Sequence, residues 1–111
     1  MPQDLERRSF ESVGDLWEWL EANHQDHPGL WVVLQKTSSQ QPSITFHDLL
    51  EAGIAFGWSE STRRANDQTS YLQKFTPRRN KGTASARNIA IAERLEAEGR
   101  MAPAGRIALG R

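Results

Sequence analysis

Arginines and aromatic residues are interspersed through residues 56–79, and these residues are the chain's best candidates for binding chemistry. The aromatic candidates are Trp58, Tyr71 and Phe75, and the cationic ones are Arg63, Arg64, Lys74, Arg78 and Arg79. A guanidinium presents a planar fork of N–H donors that matches phosphate or carboxylate oxygens, and neighbouring rings can stack on a base or sugar. The pattern therefore predicts a surface that meets an anion, or a strand pair whose exposed side is cationic.

Two carboxylates in the same stretch could serve as a catalytic base. Glu60 or Asp67 beside Tyr71 in a pocket would suit an unrecognised enzyme. A nucleophile, a base and an orienting group stand together nowhere in the sequence, so we assign no catalytic residue. A non-enzymatic binding or interaction protein is the first hypothesis and an enzyme the second. A nucleic-acid-binding module is the third, because a near-neutral net charge disfavours it.

The histidines and glycines are weaker candidates. His24 and His27 are three residues apart, a spacing at which one helix can present two ligands to a metal. They lie at a predicted helix end with only Asp26 as a third ligand, which is more typical of imidazoles that favour the helix dipole. The glycines lack the spacing and the lysine of a phosphate-binding loop. We therefore expect no metal and no cofactor.

Composition limits the remaining possibilities. The chain has 111 residues, a size typical of one domain with one core, and it has no cysteine, which excludes disulfides and thiolate sites. Its start is charged where an export signal needs an apolar run, and no stretch approaches the ~20 apolar residues of a membrane span. We expect a cytoplasmic protein without a membrane span.

The net charge of zero conceals a segregation along the chain. Residues 1–59 contain three basic and nine acidic side chains, whereas residues 60–88 contain seven basic and two acidic ones. Such segregation can steer an anionic ligand or an acidic protein surface to one face. The alternative is that the acidic first half neutralises the basic segment in the folded protein.

Apolar residues at helical spacing predict four helices, over about residues 13–23, 46–56, 84–99 and 104–109. Ser12 and Thr45 are the expected N-caps of the first two helices, and Gly57 is the expected stop of the second. In the third helix, Ile89 and Leu95 are expected to face inward. The last helix is short and lies close to the chain end.

Three strands are predicted, over about residues 30–36, 58–64 and 70–76, with a polar turn over residues 65–69. In the last strand, Tyr71, Gln73 and Phe75 fall on one face by alternation. The order of elements indicates an α+β fold. We expect a single small domain with a short, mainly antiparallel sheet of about three strands, packed by three or four helices.

An ordered set of motifs resembles a known family. The motifs are Phe56-Gly57-Trp58, Phe75-Thr76-Pro77-Arg78-Arg79, Leu95-Glu96-Ala97-Glu98-Gly99-Arg100-Met101 and Pro103-Ala104-Gly105. They span nearly the whole chain and resemble the YdeI/OmpD-associated family of bacterial proteins, whose name connects it to bacteriocin protection. The chain departs from that pattern at two places, Ser59-Glu60-Ser61 instead of Ile-Asp-Gly, and Ala84-Ser85 instead of Trp-Ser.

The resemblance implies a role in antimicrobial-peptide or envelope-stress protection, and it implies no defined reaction. It also indicates the positions that a shared binding site would use: Lys36, Trp58, Asp67, Tyr71, Arg78, Arg79 and Asn88. There the cations would pair with an anion and the aromatic rings would form a wall. Arg63 and Arg64 join these predicted ligand-binding residues because of their charge, and Lys81 is a further cation nearby.

Overall fold

Eight elements follow one another through the part of the chain that the computed structural model describes, residues 5–37, 43–78 and 85–110. The strands are β1 (Glu6–Ser9), β2 (Leu30–Gln35), β3 (Trp58–Ala65) and β4 (Ser70–Pro77). The helices are α1 (Val13–Asn23), α2 (Phe46–Phe56), α3 (Ala86–Ala97) and α4 (Pro103–Ala108). The predicted α+β class is confirmed. None of these described helices is both long and apolar enough to span a membrane.

The strands form one mixed sheet in the order β1-β2-β4-β3. The predicted hairpin of β3 and β4 is antiparallel, with Trp58 opposite Pro77 and Ala65 opposite Tyr71, and β4 also pairs antiparallel with β2. The sheet has four strands rather than about three, because β1 adds a parallel strand beside β2. All four residues of β1 are exposed, so they carry none of the apolar alternation by which a strand is recognised.

Side-chain caps and a glycine fix the helix ends. The Ser12 hydroxyl accepts a hydrogen bond from the backbone N–H of Asp15 at 3.2 Å, as predicted. Thr45 and Asp48 form a capping box at the start of α2, in which each side chain accepts a hydrogen bond from the other's backbone N–H. Gly57 ends α2 in the left-handed region at φ 78°, so its predicted role as a stop is confirmed.

One apolar core joins the inner face of the sheet to the helices. Phe75 and Trp58 are 0% and 1% exposed, and their ring centroids are 5.1 Å apart. Leu16 and Leu20 of α1 and Leu95 of α3 are fully buried in the same cluster. The two aromatic residues therefore belong to the scaffold and not to an exposed surface.

The inner face of α3 differs from the prediction. Ile89, expected to face inward, is 37% exposed. The buried residues are Asn88, Ile91, Ala92 and Leu95, whose spacing of i, i+3, i+4 and i+7 forms the inward stripe of a helix. The buried stripe begins at a polar residue, Asn88. A prediction based on apolar residues alone therefore did not include this position.

The start of helix α4 packs so closely on the end of α2 that backbone atoms of the two segments are in contact. The backbone N–H of Ala102 donates to the carbonyl oxygen of Ala55 at 3.0 Å, and a Cβ at Gly105 would collide with that same oxygen. A Cβ at Gly57 would lie 2.7 Å from the carbonyl oxygen of Ala104. Glycine at both positions therefore permits this close approach.

Candidate functional site

Asp67 organises the turn between β3 and β4. Its Oδ1 accepts hydrogen bonds from the backbone N–H of Thr69 at 2.9 Å and from the hydroxyl of Ser70 at 2.8 Å. The Ser70 hydroxyl first, and then the Thr69 amide, lowers the pKa of the Asp67 carboxyl below its ordinary value. The carboxylate of Asp67 is thus ionised and engaged in the turn, as is typical of aspartate at such positions.

Arg63 lies on aromatic rings near this turn. Its Cζ is 4.4 Å from the ring centroid of Tyr71 and 5.5 Å from that of Phe46. Its Nε points to the Oε1 of Gln73 at 3.5 Å, and the 2% exposed Gln73 in turn donates from Nε2 to the carbonyl oxygen of Thr62 at 3.3 Å. These contacts fix the direction of the guanidinium without neutralising its charge.

Arg64 faces the other side of the sheet, as alternation along a strand requires. Its Cζ lies 4.6 Å from the ring centroid of Trp31, and the Nζ of Lys74 lies 6.0 Å from the same centroid. These two cations help to cover Trp31, which is only 8% exposed although it is on the face away from Phe75.

Lys36 follows the end of β2 and borders the same turn. Its backbone N–H donates to the carbonyl oxygen of Thr69 at 2.8 Å, which continues the pairing of β2 with the start of β4. Its Nζ lies 3.5 Å from the carbonyl oxygen of Asp67. The turn therefore brings the end of β2 beside the two arginines of β3.

These cations line one concave surface of about 620 Å³, which we call the hairpin pocket. Its described lining consists of Lys36, Thr37, Arg63, Arg64, Ala65, Ser70 and Tyr71. A second cavity of about 310 Å³ shares Lys36, Thr37 and Tyr71 with it and reaches the first turn of α2. Four of the predicted site residues, namely the three cations and Tyr71, thus come together.

The cations of the hairpin pocket have no acidic partner in the described part of the chain. None of the ion pairs there includes Lys36, Arg63 or Arg64. Acids of the first half pair elsewhere: Glu51, for example, contacts Arg94 of α3. The ion pairs of these residues therefore do not support the alternative that the acidic first half neutralises the basic segment.

Trp58 and Arg78 lie at the opposite end of the hairpin. They line a separate cavity of about 270 Å³, together with apolar residues of α2 and α4. Trp58 is 1% exposed, and its Nε1 donates to the carbonyl oxygen of His24 at 3.2 Å. Because a strand advances about 3.3 Å per residue, the stretch from Tyr71 to Arg78 separates the two cavities by roughly 23 Å.

Of the remaining predicted residues, Asn88 joins neither cavity. Asn88 is buried in α3 at 7% exposure, and its Oδ1 accepts a hydrogen bond from the Nε of Arg87 at 3.3 Å. Arg79 and Lys81 lie outside the described residues. The site that the sequence analysis treated as one surface is thus divided between two ends of a hairpin and a helix.

The candidate bases are poorly placed for catalysis. Asp67 does not line the hairpin pocket, and its lowered pKa makes it a weak base. Glu60 lies opposite Phe75 in the hairpin and is not part of that pocket's lining either. The arrangement suits an anion, which its cations could bind, but the described lining next to Tyr71 contains no carboxylate or imidazole that could act as a base.

The two histidines whose spacing was considered for a metal, His24 and His27, have other contacts. The Nδ1 of His24 lies 2.7 Å from the carbonyl oxygen of Leu20, and the Nε2 of His27 lies 3.1 Å from a carboxylate oxygen of Glu6. Among the described residues, no group of three or more His, Asp or Glu side chains could hold a metal ion. The residues near α1 therefore give no support to a metal site.

Sequence reasoning missed several residues of the hairpin pocket and its surroundings, namely Phe46, Thr37, Ser70 and Gln73. Gln73 could have been identified from the sequence, because it is a polar residue between Tyr71 and Phe75 on the inward face of β4. Phe46 could not have been identified in this way, since its contact with Arg63 joins two elements that only the tertiary fold brings together.

Residues 8–108 match a protein family described as a domain of unknown function, DUF8412. Comparison with curated proteins and with solved structures gave no match. The family description names no ligand, reaction or partner.

Proposed function

The chain belongs to DUF8412, a family of unknown function, and we propose from its own geometry that it is a non-enzymatic domain that binds an anion in the hairpin pocket. The observation that carries this proposal is that Lys36, Arg63 and Arg64 line one concave surface without an acidic partner among the described residues. Three cations without an ion-pair partner give this surface a positive potential, which attracts an anion.

The arrangement of Arg63 favours binding of a ligand over a role in stability alone. Its Nε is directed to Gln73 and its Cζ lies over Tyr71, which leaves the two terminal nitrogens without a hydrogen-bond partner among the described residues. Terminal guanidinium nitrogens are the groups that bind carboxylate or phosphate oxygens in a bidentate manner. The contacts thus hold a binding group in one orientation before the ligand arrives.

The two alternatives receive less support. Trp58 and Phe75 are buried in the core, so they cannot stack on the bases of a nucleic acid. The enzyme alternative needs Asp67 or Glu60 as a base beside Tyr71, but neither lines the pocket and Asp67 is engaged in the turn. The ligand class is therefore a small anion or an anionic group on a larger molecule.

The biological role is a proposal of a different kind. The resemblance to the YdeI/OmpD-associated family supports a place in antimicrobial-peptide or envelope-stress protection, with a cytoplasmic location. The hairpin pocket would then serve as the sensor or carrier of an anion, while the chain itself performs no reaction.

Titration calorimetry of the full chain tests the proposed binding. Orthophosphate, sulfate, citrate and acetate are titrated separately at low ionic strength, and at least one is expected to bind more weakly as NaCl rises, because salt screens charge pairs. Arg63→Gln should weaken that binding by roughly tenfold to a hundredfold, the effect of losing a hydrogen bond to a charged group.

Arg78→Gln is the matched control, because it removes the same charge at the other end of the hairpin. It should leave the affinity within about twofold of that of the wild type, since screening is strong over roughly 23 Å. Equal weakening by the two substitutions, or no binding of any of the four anions, would contradict the proposal.

A further inference from the structure

We infer that the anion recognised by the hairpin pocket is a phosphomonoester or free orthophosphate, and not a monocarboxylate or a phosphodiester. This inference rests on the proposed anion-binding function and adds the chemical class of the ligand. Its basis is the number, direction and chemistry of the donors around the pocket.

Charge is the first argument. The described lining carries three cations, and no carboxylate of the described residues forms an ion pair with any of them. A single arginine fork is enough for a monocarboxylate, which brings one negative charge and one plane of oxygens. A phosphomonoester carries close to two negative charges at neutral pH, and its oxygens can meet several cations at once.

The directions of the donors are the second argument. Arg63 is oriented from the inner face of the sheet by Tyr71 and Gln73, whereas Arg64 approaches from the outer face over Trp31. Lys36 approaches from the end of β2. Donors that border one pocket from three different sides suit a tetrahedral group with three terminal oxygens better than a planar group with two.

Uncharged donors at the pocket agree with this geometry. The hydroxyls of Thr37 and Tyr71 belong to the lining and have no hydrogen-bond partner among the described residues, whereas the Ser70 hydroxyl is engaged by Asp67. Hydroxyls of this kind commonly donate to phosphate oxygens beside arginine and lysine. Two such donors would complete the contacts to a group with many acceptor positions.

The aromatic faces give the third argument. Arg63 covers one face of Tyr71, and Arg64 lies over the largely buried Trp31. These rings therefore offer little surface for a base or another flat organic group to stack on. The hairpin pocket should accordingly recognise the phosphate group itself and discriminate only weakly between the groups esterified to it.

Four probes of matched ionic strength test the inference by calorimetry at pH 7.5: methyl phosphate, orthophosphate, dimethyl phosphate and acetate. Methyl phosphate and orthophosphate should bind at least about tenfold more tightly than the two monoanions, because only they carry a second charge. A preference for methyl phosphate over orthophosphate would identify an ester as the source, and equal affinity would identify the phosphate group alone; both results support the inference.

The pH dependence is a second arm of the test. The second proton of a phosphomonoester titrates near pH 6, so its affinity should fall about tenfold between pH 7.5 and pH 5. No histidine belongs to the described lining, whose charged groups are Lys36, Arg63 and Arg64, and the carboxylate of Asp67 is engaged in the adjoining turn. The nearest histidine along α2, His47, is paired with Glu51.

Arg63→Lys provides a variant that keeps the charge but lacks the planar fork, and it should bind methyl phosphate about tenfold less tightly. If acetate binds as tightly as methyl phosphate, while Arg63→Gln weakens both, the inference is wrong and the proposed anion site stands. If none of the probes binds and the four anions of the earlier titration do not bind either, both are wrong. An affinity for methyl phosphate that is the same at pH 5 and pH 7.5 also contradicts the inference.

Discussion

Arg63 and Asp67 are four residues apart in the sequence, yet the fold uses their charges differently. Asp67 directs its carboxylate to Thr69 and Ser70 within the turn. Arg63 directs its guanidinium over Tyr71 and toward the pocket. The negative charge therefore serves the local conformation, and the positive charge remains available to a ligand.

Asp67 should make the stability of the protein depend on acid pH. The pKa of its carboxyl is lowered in the folded state, chiefly by the Ser70 hydroxyl, so the unfolded chain takes up its proton at a higher pH than the folded one. The stabilisation is present above the ordinary pKa of aspartate and is lost as the pH falls through the folded pKa. Asp67→Asn should lower the urea midpoint at pH 7, and the difference should narrow toward pH 3.

Asp26→Asn is the control for this experiment, because it removes one negative charge from an exposed position beside α1. Its urea midpoint should remain near that of the wild type at pH 7. A difference between Asp67→Asn and the wild type that is constant from pH 7 to pH 3 would refute the role given to the turn.

Gly57 determines how α2, β3 and α4 meet. It has a left-handed backbone at φ 78°, and a Cβ there would lie 2.7 Å from the carbonyl oxygen of Ala104. Gly99 is also left-handed, at φ 71°, but a Cβ there would have no neighbour within 4 Å. The two glycines share a backbone conformation and differ in packing, which makes them a matched pair.

Gly99→Ala should lower the free energy of unfolding by about 1–2 kcal/mol, the cost of a left-handed conformation for alanine. Gly57→Ala should lower it by roughly 1–3 kcal/mol more, because the added methyl collides with packed backbone of α4. Urea unfolding of both variants measures the difference. Equal losses would mean that α4 is not held closely against the α2–β3 junction.

The helix ends and the hairpin could be predicted from sequence because their signals are local. The Ser12 and Thr45 caps and the Gly57 stop each act within one turn of the chain. The strand β1 could not be predicted, since Glu6–Ser9 is exposed throughout and becomes a strand only by pairing with β2. Its formation depends on a partner more than twenty residues away.

The candidate site was predicted in part. Its cations and Tyr71 were identified by type, but the sequence analysis placed Trp58 and Arg78 in the same site. The predicted antiparallel hairpin is enough to correct this placement. Its pairing sets Trp58 opposite Pro77 at one end and Ala65 opposite Tyr71 at the other, so Trp58 and Tyr71 cannot share one site. The contact of Phe46 with Arg63 needed the tertiary fold, since no local pattern relates α2 to the hairpin turn.

Over the full chain, the net charge is zero, and several of its acids form ion pairs with arginines outside the cationic pocket. Glu96 binds Arg106 through both of its oxygens, and Glu51 and Glu98 both contact Arg94. Exposed pairs of this kind add little to stability. Their consequence here is electrostatic, because they cancel charge around the helices and leave the end of the sheet positive.

The central claim is that an anion binds in the hairpin pocket, and amide NMR of the full chain tests it most directly. Orthophosphate, sulfate, citrate and acetate are titrated separately at low ionic strength, and the shifts of the backbone amides locate any bound anion. With at least one of them, we predict saturable shifts concentrated at Lys36, Thr37 and residues 63–71, and Arg63→Gln should lower the apparent affinity at least about tenfold. Shifts centred on Trp58 and Arg78 instead, or no saturable shift with any of the four anions, would contradict the claim.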